Sequence, residues 1–468
     1  MRTTIEQFEQ WLREKHEGNL EFKEAKNQFD TTKLMKYCVA IANEGGGKLV
    51  LGVTDKKPRE VVGSQAFENL EDIQRRIFEK LRFRVETEKI PHPSGRVVVF
   101  HIPSRPTGTA YHIDGAYLMR STEETVPMSE DRLRAIFNEG RPSWLSEIAL
   151  RRASSDDVIR SLDTHSYFDL LNLAYPASRE RVLERFESER FITSHYDSYD
   201  VTNLGAILFA KDLKLFESLH RKAPRVIVYE GIGKTKTKSD KPGVKGYAVG
   251  FEGLIDYIGS QLPSNEVIGK ALRETVQMYP EIVIRELVAN ALIHQDFNES
   301  GTSVMIEIYN DRIEISNPGK PFIPPERFID EYQSRNDRLA DVMRRLGICE
   351  EKGSGIDKVV ESVELFQLPA PDFRVGEKHT LVLIFAHKEF DEMEMKDKVR
   401  ACYQHCCLRC VMNQKMTNQS LRGRFKLSAI KADAASRVIR ETLEAGLIRL
   451  EDPESSSKRY AKYIPFWA

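Results

Sequence analysis

The stretch ELVANALIHQDF, residues 286–297, limits the fold of its surroundings more narrowly than any other part of the chain. Glu286, Asn290 and His294 recur at intervals of four, so on a helix their side chains lie one above the other along one face. Leu287 and the apolar residues spaced around it follow a neighbouring face and are typical of core contacts. The pattern predicts a helix that packs on its apolar side and carries a carboxylate, an amide and an imidazole along one polar stripe.

Length and composition bound the rest of the chain. Its 468 residues suffice for about three or four domains, at roughly 100 to 200 residues each. Hydrophobic residues make up 41% and charged residues 30%, as in an ordinary soluble protein, and there is no run of about 18 apolar residues that would predict a membrane span. The N-terminal sequence MRTTIEQFEQWLREK lacks the apolar core of a signal peptide, so we expect a cytoplasmic protein without membrane contacts.

Four of the six cysteines crowd into CYQHCCLRC, residues 402–410, within a predicted helix. Zinc sites usually pair two short cysteine knuckles that are separated by a dozen or more residues. A single helix cannot readily place four thiolates around one tetrahedral ion. We therefore expect reduced, buried helix residues here and no structural zinc.

The sequence predicts an α+β multidomain protein with four parts. Residues 1–140 combine helices with strands that fit a mixed sheet. Residues 141–215 are predicted to be a helical connector, in which one helix and a short strand pair fit a small winged helix. Residues 216–390 contain the helix with the polar stripe and several strands, and their lysine-rich segment 233–246 is predicted to be a mobile basic loop. Residues 395–468 are predicted to form helices followed by a hairpin.

The first part carries a specific motif, LEFK followed by AIANEGGGKLVLGVTD, with YLMRS further along. This pattern resembles the Schlafen AlbA-like domain. The matching positions are Glu21, Phe22, Lys23, Ala40, Ala42, Asn43, Gly46, Gly47, Gly52, Val53, Asp55 and Arg120. Because some members of that family bind DNA, the resemblance implies nucleic-acid contacts. The residues expected to make them are Lys23, Asn43, Gly46, Gly47 and Arg120.

The acidic residues of the same motif leave three interpretations open. Schlafen-type members are nucleases with three acidic residues, and such clusters hold divalent metals that contact the attacking and leaving oxygens. Glu21 and Asp55 match two of the three positions, and Glu17 is the nearest candidate for the third. The alternatives are nucleic-acid binding without cleavage, and a purely structural ion pair between Glu21 and Lys23, which point to one face of a strand.

The third part combines the stripe with two glycine motifs, SNPG and KGSGI, and with RNDRLADVMRRLG between them. Together they resemble a divergent form of the ATP-binding fold shared by gyrase, histidine kinases and mismatch-repair ATPases. That form is found behind AlbA-like domains in helicase-related transcriptional regulators. The resemblance implies an α/β sandwich that binds ATP and Mg²⁺.

The same resemblance implies a role for each motif residue. Glu286 would be the base for ATP hydrolysis, Asn290 would hold magnesium through ATP, and His294 would line the pocket mouth. The remaining ATP-binding positions are Asn317, Gly319, Gly353 and Gly355. Asn317 stands where the family has an aspartate that accepts the adenine amino proton, and a neutral amide oxygen accepts more weakly than a carboxylate. The sequence therefore predicts ATP binding more firmly than it predicts efficient ATP hydrolysis.

The C-terminal part, residues 395–468, is basic. From Lys396 to Ala468 there are 15 Lys and Arg against 7 Asp and Glu, although the whole chain has a net charge of -1. MTNQSLRGRFKLSAIKADAASRVIRETLEAGLI fits two helices, and the hairpin that follows completes a winged helix-turn-helix pattern. Its second helix would enter the major groove, and the wing would contact phosphates. The residues expected to do so are Lys431, Arg437 and Arg440 on the helix, and Lys458 and Arg459 on the wing.

The leading hypothesis is an ATP-binding, nucleic-acid-binding regulatory protein, a transcriptional regulator whose engagement of DNA is gated by nucleotide. DNA is the expected partner and RNA the alternative. Self-association is expected as well, because symmetric dimers suit palindromic sites. Two other classes of function remain open, a Schlafen-like metal-dependent nuclease, for example in phage defence, and a scaffold that binds only proteins.

Overall fold

The computed structural model describes residues 3–13, 20–56, 58–121, 124–139, 143–262, 264–268, 273–349, 355–452 and 461–468. The chain forms two compact units, residues 1–142 and 143–468. Helices and strands alternate in both, and the predicted α+β multidomain fold class is confirmed. None of the helices in the described ranges is long and apolar enough to cross a membrane.

The first unit is built on a four-stranded mixed sheet. Its elements are α1 (Ile5–Arg13), β1 (Leu20–Lys23), α2 (Thr31–Asn43), β2 (Gly47–Leu51), α3 (Leu70–Leu81), β3 (Glu86–His92), β4 (Gly95–Ile102), β5 (His112–Ile113), β6 (Ala116–Ser121), β7 (Glu124–Pro127) and α4 (Glu130–Asn138). The sheet order is β1-β2-β4-β3, with β1 and β2 parallel and the other pairs antiparallel, while β5, β6 and β7 form a second small sheet.

Helix α2 is the central element of this unit. The side chain of Asp30 caps it by accepting a hydrogen bond of 2.7 Å from the Lys33 amide, which satisfies one of the open donors at the helix start. Its apolar run from Leu34 onward is buried against the sheet. The helix ends before Gly46, where φ is +81° and a Cβ atom would lie 2.5 Å from the Ser104 amide. Only glycine fits that close approach of two backbones.

The second unit contains the remaining elements. They are β8 (Ile148–Ala153), α5 (Ser155–Ser161), α6 (Thr164–Leu170), α7 (Arg179–Ser188), β9 (Ile192–His195), β10 (Ser198–Thr202), α8 (Asn203–Phe209), β11 (Arg225–Tyr229), β12 (Thr237–Pro242), α9 (Tyr247–Gln261), β13 (Ser264–Ile268), β14 (Arg273–Gln277), α10 (Glu281–His294), β15 (Met305–Ile308), β16 (Arg312–Pro318), α11 (Asp337–Arg345), α12 (Gly355–Leu365), β17 (Asp372–Val375), β18 (His379–Phe385), α13 (Met395–Val411), α14 (Asn418–Arg424), α15 (Ala432–Glu444), β19 (Ile448–Leu450) and β20 (Tyr463–Pro465).

The part of this unit that precedes α13 contains two larger sheets. Residues 143–210 contain a three-stranded antiparallel sheet in the order β8-β10-β9, which has one strand more than the predicted pair. A six-stranded mixed sheet follows in the order β12-β11-β15-β16-β18-β17, in which only β11 and β15 run parallel. Helices α10 and α12 pack against each other, and α10 packs on β16. The helix with the polar stripe therefore lies directly over the sheet.

The prediction of a mobile basic loop is wrong for part of the lysine-rich segment. Residues 237–242 form β12, the edge strand that pairs with β11. Arg225 on β11 donates to Asp240 on β12 at 2.6 Å, which holds the strand in register. Lysines that project from an edge strand discourage pairing with another chain, so the charge pattern that suggested a loop is also compatible with this strand.

The C-terminal residues form three helices and a short antiparallel hairpin of β19 and β20. Cys402, Cys406 and Cys407 on α13 are buried in the core between these helices, as predicted for small helix residues. Burial raises the pKa of Cys402 and of Cys407 to about 12, so both thiols stay neutral. The same core contains Ile329 and Val360, which precede the helices in sequence. The C-terminal helices therefore pack directly on the part of the unit that carries the large sheet.

Candidate functional site

The polar stripe of α10 faces a cavity in the second unit. Glu286, Asn290 and His294 all line it, as the four-residue spacing predicts. Asn317, near the end of β16, and Gly355, at the start of α12, line the same cavity. Five of the positions singled out from the sequence are therefore brought together, from three separate elements.

Gly355 leaves the room that the stripe needs. A Cβ atom at this position would lie 2.6 Å from Glu286 Oε2 and 3.6 Å from Asn290 Nδ2. Any side chain here would have to displace the carboxylate. Gly355 also begins α12, where the first backbone N–H groups have no partner within the helix and favour anions. Gly353, the other glycine of the motif, lies outside the described residues.

The end of β16 forms a second polar corner. Asn317 is paired across the sheet with Thr380 of β18, and both line the cavity. The Thr380 hydroxyl donates to the Gly319 carbonyl at 2.8 Å, and the Asn317 amide nitrogen donates to the Pro318 carbonyl at 3.1 Å. Gly319 has φ at +95°, and a Cβ atom there would lie 2.8 Å from that of Asp296. Thr380 could not be recognised from the sequence, because only the strand register places it opposite Asn317.

His294 is held neutral at this site. Burial, assisted by the nearby positive charge of Arg335, lowers its pKa from 6.5 to about 4. The imidazole therefore keeps one nitrogen as a hydrogen-bond acceptor at neutral pH. Its ring lies 6.3 Å from that of Tyr332, which also lines the cavity.

Arg335 is a cavity residue that the sequence motifs did not single out. Its guanidinium lies 3.2 Å from Asp296 Oδ2 and 4.3 Å from the centre of the Phe322 ring, and it donates to the Lys320 carbonyl at 2.5 Å. Burial lowers its pKa, but an arginine remains charged at neutral pH. Asp296 thus fixes a cation at the cavity, and this gives a role to one residue that follows the stripe.

The other two residues after His294 anchor the end of α10. Gln295 is fully buried, and its amide nitrogen donates to the Tyr247 hydroxyl at 2.9 Å. The Phe297 ring stacks on Trp144 with the ring centres 4.4 Å apart. These contacts hold the C-terminal end of the helix, and with it His294, against α9 and the connector.

The donor set of the cavity fits a magnesium-bound nucleotide. Glu286 and Asn290 offer oxygen atoms one helical turn apart, and oxygen is the ligand that Mg²⁺ prefers. Apolar residues, among them Leu287, Ile315 and Phe328, line the rest of the cavity and suit an aromatic base. Within the described ranges, no three His, Cys, Asp or Glu side chains lie close enough together to hold a metal ion. A magnesium ion held by Asn290 would take its remaining ligands from nucleotide phosphates and water.

The acidic motif of the first unit is occupied by cations of the same unit. Lys23 Nζ lies 2.9 Å from Glu21 Oε1 and also bonds Asp55, and Arg120 donates to Glu21 Oε2 at 2.7 Å. Burial alone would lower the pKa of Lys23, but the two carboxylates raise it above its ordinary value. A permanently charged ammonium therefore lies between the two carboxylates that a nuclease would use for metal. Glu17, the candidate for the third, lies outside the described residues.

The turn after α2 has internal partners. The amide nitrogen of Asn43 donates to the carbonyls of Tyr111 and Leu118, both at 2.9 Å, and its oxygen accepts from the Tyr111 amide at 2.8 Å. Gly46 faces the Ser104 backbone, and Gly47 begins β2. Contacts within the unit thus account for Asn43 and Gly46. Lys23 and Arg120 instead pair with the carboxylates of the acidic motif.

The basic residues predicted to contact DNA from α15 and the segment before it are exposed. Arg437 and Arg440 lie on the outer face of α15, and Lys431 precedes that helix and lies 3.0 Å from Asp391. Arg440 is 3.9 Å from Glu444, a solvent-exposed pair that costs little to open. Lys458 and Arg459, predicted for the wing, lie outside the described residues.

Two family models match the chain, each over less than half of its length. Residues 17–129 match the family described as Schlafen, AlbA_2, and residues 301–384 match the family described as putative ATP-dependent DNA helicase recG C-terminal. The two predicted family resemblances are confirmed. The second match begins after α10, so it does not include Glu286, Asn290 or His294.

Two solved structures are similar to the chain at low identity. The DIP2311 protein from Corynebacterium diphtheriae is 16% identical, with a TM-score of 0.43, and the match covers 98% of this chain and 96% of that one. The N-terminal domain of a putative ATP-dependent DNA helicase RecG-related protein from Nitrosomonas europaea is 17% identical, with a TM-score of 0.21, and covers 28% and 92%. Neither TM-score is high enough to carry an argument. No curated protein matches the chain.

Proposed function

We propose that this chain is a nucleotide-binding and nucleic-acid-binding regulatory protein whose cavity under α10 takes ATP with magnesium. One observation carries the proposal. The polar stripe of Glu286, Asn290 and His294 faces the same cavity as Asn317 and Gly355. The two family matches, one to an AlbA-like and one to a helicase-related C-terminal family, support a function that involves ATP and nucleic acid.

Each cavity residue has a distinct task in this proposal. Asn290 holds magnesium through its amide oxygen, and magnesium neutralises the triphosphate when bound. Glu286 orients a water molecule and accepts its proton at the carboxylate. Gly355 admits phosphate oxygens beside the first N–H groups of α12. Asn317 accepts a hydrogen bond from the base, more weakly than a carboxylate would, so we expect firm binding and slow turnover.

The nucleic-acid contacts are assigned to two places. In the first unit, the proposed contacts are Lys23 and Arg120, which pair with Glu21 and lie beside the Tyr37 ring, at 5.9 and 5.4 Å from its centre. In the second unit, Arg437 and Arg440 are exposed on α15 and would contact DNA as a winged helix does. Duplex DNA is the proposed partner, bound by a homo-oligomer in a regulatory, transcription-related role that nucleotide gates.

Calorimetry with a non-hydrolysable ATP analogue and magnesium tests the nucleotide part. The parent should bind the analogue, and Asn290→Ala should remove binding because the metal loses its protein ligand. Asn310→Ala, in an exposed turn, is the matched control and should bind like the parent. Absence of binding by the parent would reject the nucleotide proposal, and undiminished binding by Asn290→Ala would reject the metal assignment.

The salt dependence of duplex binding tests the nucleic-acid part. Each neutralised phosphate contributes about 0.9 to the slope of log affinity against log salt concentration, so the double variant Arg437→Gln, Arg440→Gln should lower that slope by about 2. An exposed pair on another helix, Arg75→Gln with Arg76→Gln on α3, serves as control. An unchanged slope in the α15 variant would remove that helix from the proposed interface.

A further inference from the structure

One wall of the cavity is shared with the C-terminal helices. The segment from residue 321 to 332 crosses the cavity, and Phe322, Phe328 and Tyr332 line it from the inner side. Phe322 and Tyr332 keep 53% and 59% of their surface exposed. A ligand that fills the cavity would cover these two aromatic rings, so the wall is the part of the cavity best placed to respond to occupancy.

The outer side of the same segment is fastened to α13 and to the C-terminal residues. The Tyr403 hydroxyl donates to the Glu326 carbonyl at 2.5 Å, and Trp467 Nε1 donates to the Tyr403 hydroxyl at 3.3 Å. The Arg327 guanidinium lies 5.0 Å from the centre of the Trp467 ring. Ile329 is buried in the core of the C-terminal helices. The wall therefore has one face in the cavity and the other in the basic C-terminal region.

Helix α12 makes a second connection between the same two places. It begins at Gly355 in the cavity and extends for about 16 Å, at 1.5 Å per residue. Near its other end, Glu364 lies 3.0 Å from His405 Nδ1 on α13 and 3.4 Å from Arg424 Nε on α14. His405 and Arg424 are both buried. Breaking a buried charged contact by separating its partners is costly, so α12, α13 and α14 should move together.

We propose that Tyr403 is a positioning residue for the cavity wall, and that nucleotide in the cavity and duplex DNA on α15 are thermodynamically linked through this wall and α12. The linkage rests on the proposed function, since it needs both ligands. Its physical basis is that a ligand shifts an equilibrium between two conformations only if it binds one of them more tightly than the other. Here one segment lines the cavity on one side and contacts α13 on the other, and α13 packs against α15. Linkage is reciprocal, so duplex must change nucleotide affinity by the factor by which nucleotide changes duplex affinity.

The test is a titration of the full chain with the non-hydrolysable ATP analogue and magnesium, without and with a saturating mixed-sequence duplex. We expect duplex to change the analogue affinity of the parent by about fivefold or more, and that of Tyr403→Phe by less than about twofold. Tyr175→Phe is the control, because it removes a tyrosine hydroxyl that bonds Thr164 at 2.9 Å and does not touch the wall. It should respond to duplex like the parent.

Hydrogen exchange without nucleotide supplies a readout that does not need the cavity to be filled. Duplex should change exchange in residues 321–332 of the parent and of Tyr175→Phe, and leave it unchanged in Tyr403→Phe. If the parent binds no analogue, the proposed function fails, and this exchange alone decides whether the wall responds to duplex. An analogue affinity that ignores duplex, or a parent that binds no duplex, would overturn the linkage. A full response in Tyr403→Phe would overturn the positioning role of Tyr403.

Discussion

The acidic motif of the first unit and the polar stripe of α10 look alike in sequence and differ in the folded chain. Both place a carboxylate among polar neighbours at regular spacing. In the first unit, Glu21 and Asp55 are bridged by Lys23, and Glu21 also pairs with Arg120. On α10, the stripe opens on a cavity. Spacing identifies residues that could do chemistry, whereas the rest of the fold decides which of them face a cavity that a ligand can enter.

The substitution Glu286→Gln should have the strongest effect of all, because it should stop ATP turnover and leave ATP binding intact. Glu286→Gln keeps the size and hydrogen bonding of the side chain and removes the base. It should bind the ATP analogue like the parent and lose turnover by about 100- to 10,000-fold, measured as phosphate release. Glu281→Gln, in the exposed first turn of the same helix, should turn over ATP like the parent. Unchanged phosphate release by Glu286→Gln would show that the stripe supplies no base.

The ion pairs of the first unit predict an unequal response to losing a carboxylate. The side chains of Glu21 and Arg120 are 10% and 9% exposed, whereas that of Asp55 is 50% exposed. Glu21→Ala leaves a nearly buried guanidinium uncompensated, which should lower the free energy of unfolding by about 3 kcal/mol. Asp55→Ala removes an exposed partner and should cost less than about 1 kcal/mol. Denaturant unfolding of both variants measures the difference.

Nuclease activity would show that the acidic motif, like the polar stripe, is open to a ligand. If cations fill the acidic motif, the parent should not cleave labelled DNA or RNA with magnesium or manganese. Cleavage by the parent that Glu21→Ala abolishes would show that metal displaces Lys23 and that the two regions are alike after all. Equal stability losses in Glu21→Ala and Asp55→Ala would contradict the ion-pair account independently.

Acid should destabilise the protein through the neutral imidazole of His294. In the unfolded chain His294 titrates near 6.5, and in the folded chain near pH 4. The unfolded state therefore binds more protons between these values, and the stability that neutral His294 contributes is complete above about pH 6.5 and lost as the pH falls toward 4. The loss should amount to about 2 to 3 kcal/mol. Unfolding measured across this range should show it in the parent and not in His294→Gln.

Comparing the two proteins at each pH removes an opposing contribution. Burial, and then the neighbouring Asp330 and Glu361, raise the pKa of Asp357 from 3.8 to about 6. That carboxyl favours folding as it becomes protonated, so it gains stability over part of the range in which His294 loses it. The effect of Asp357 is common to parent and variant. Identical pH profiles for the two would contradict a neutral His294 in the folded chain.

A glycine substitution should lower analogue binding without a comparable loss of stability. Gly355→Ala places a methyl group against the Glu286 carboxylate, so analogue affinity should fall. Gly355 is the first residue of α12, so the interior preference of alanine over glycine, up to about 1 kcal/mol, applies only in part and offsets the displacement of the Glu286 carboxylate. Stability should therefore change little. Gly253→Ala on α9, where a Cβ atom meets nothing within 4 Å, is the matched control and should gain stability without losing affinity. A Gly355→Ala variant with full affinity would show that the analogue does not use the space beside Gly355.

Local patterns predict much of this molecule. The spacing of four places Glu286, Asn290 and His294 on one face, and the AlbA-like motif locates α2 and β2 closely. What local patterns cannot supply are pairings between distant positions. Arg120 meets Glu21 across a separation of 99 residues, and Thr380 faces Asn317 only through strand register.

The prediction of a loop for the lysine-rich segment was wrong for a related reason. Its charges suggested a loop, yet residues 237–242 form a strand because β11 offers an edge and Arg225 offers a partner to Asp240. Charge density describes exposure, and an edge strand is as exposed as a loop. The contact of Tyr403 with Glu326 is likewise invisible in either local segment.

Hydrogen exchange of the full chain with magnesium, without and with the non-hydrolysable ATP analogue, tests most directly whether the cavity accepts a ligand and the acidic motif does not. The comparison predicts protection by the analogue in α10 and in residues 321–332. It predicts no change in residues 20–24 and 52–56, around the acidic motif, with magnesium alone or with the analogue. Protection at the acidic motif with none at α10 would show that the ligand binds the acidic motif and not the cavity.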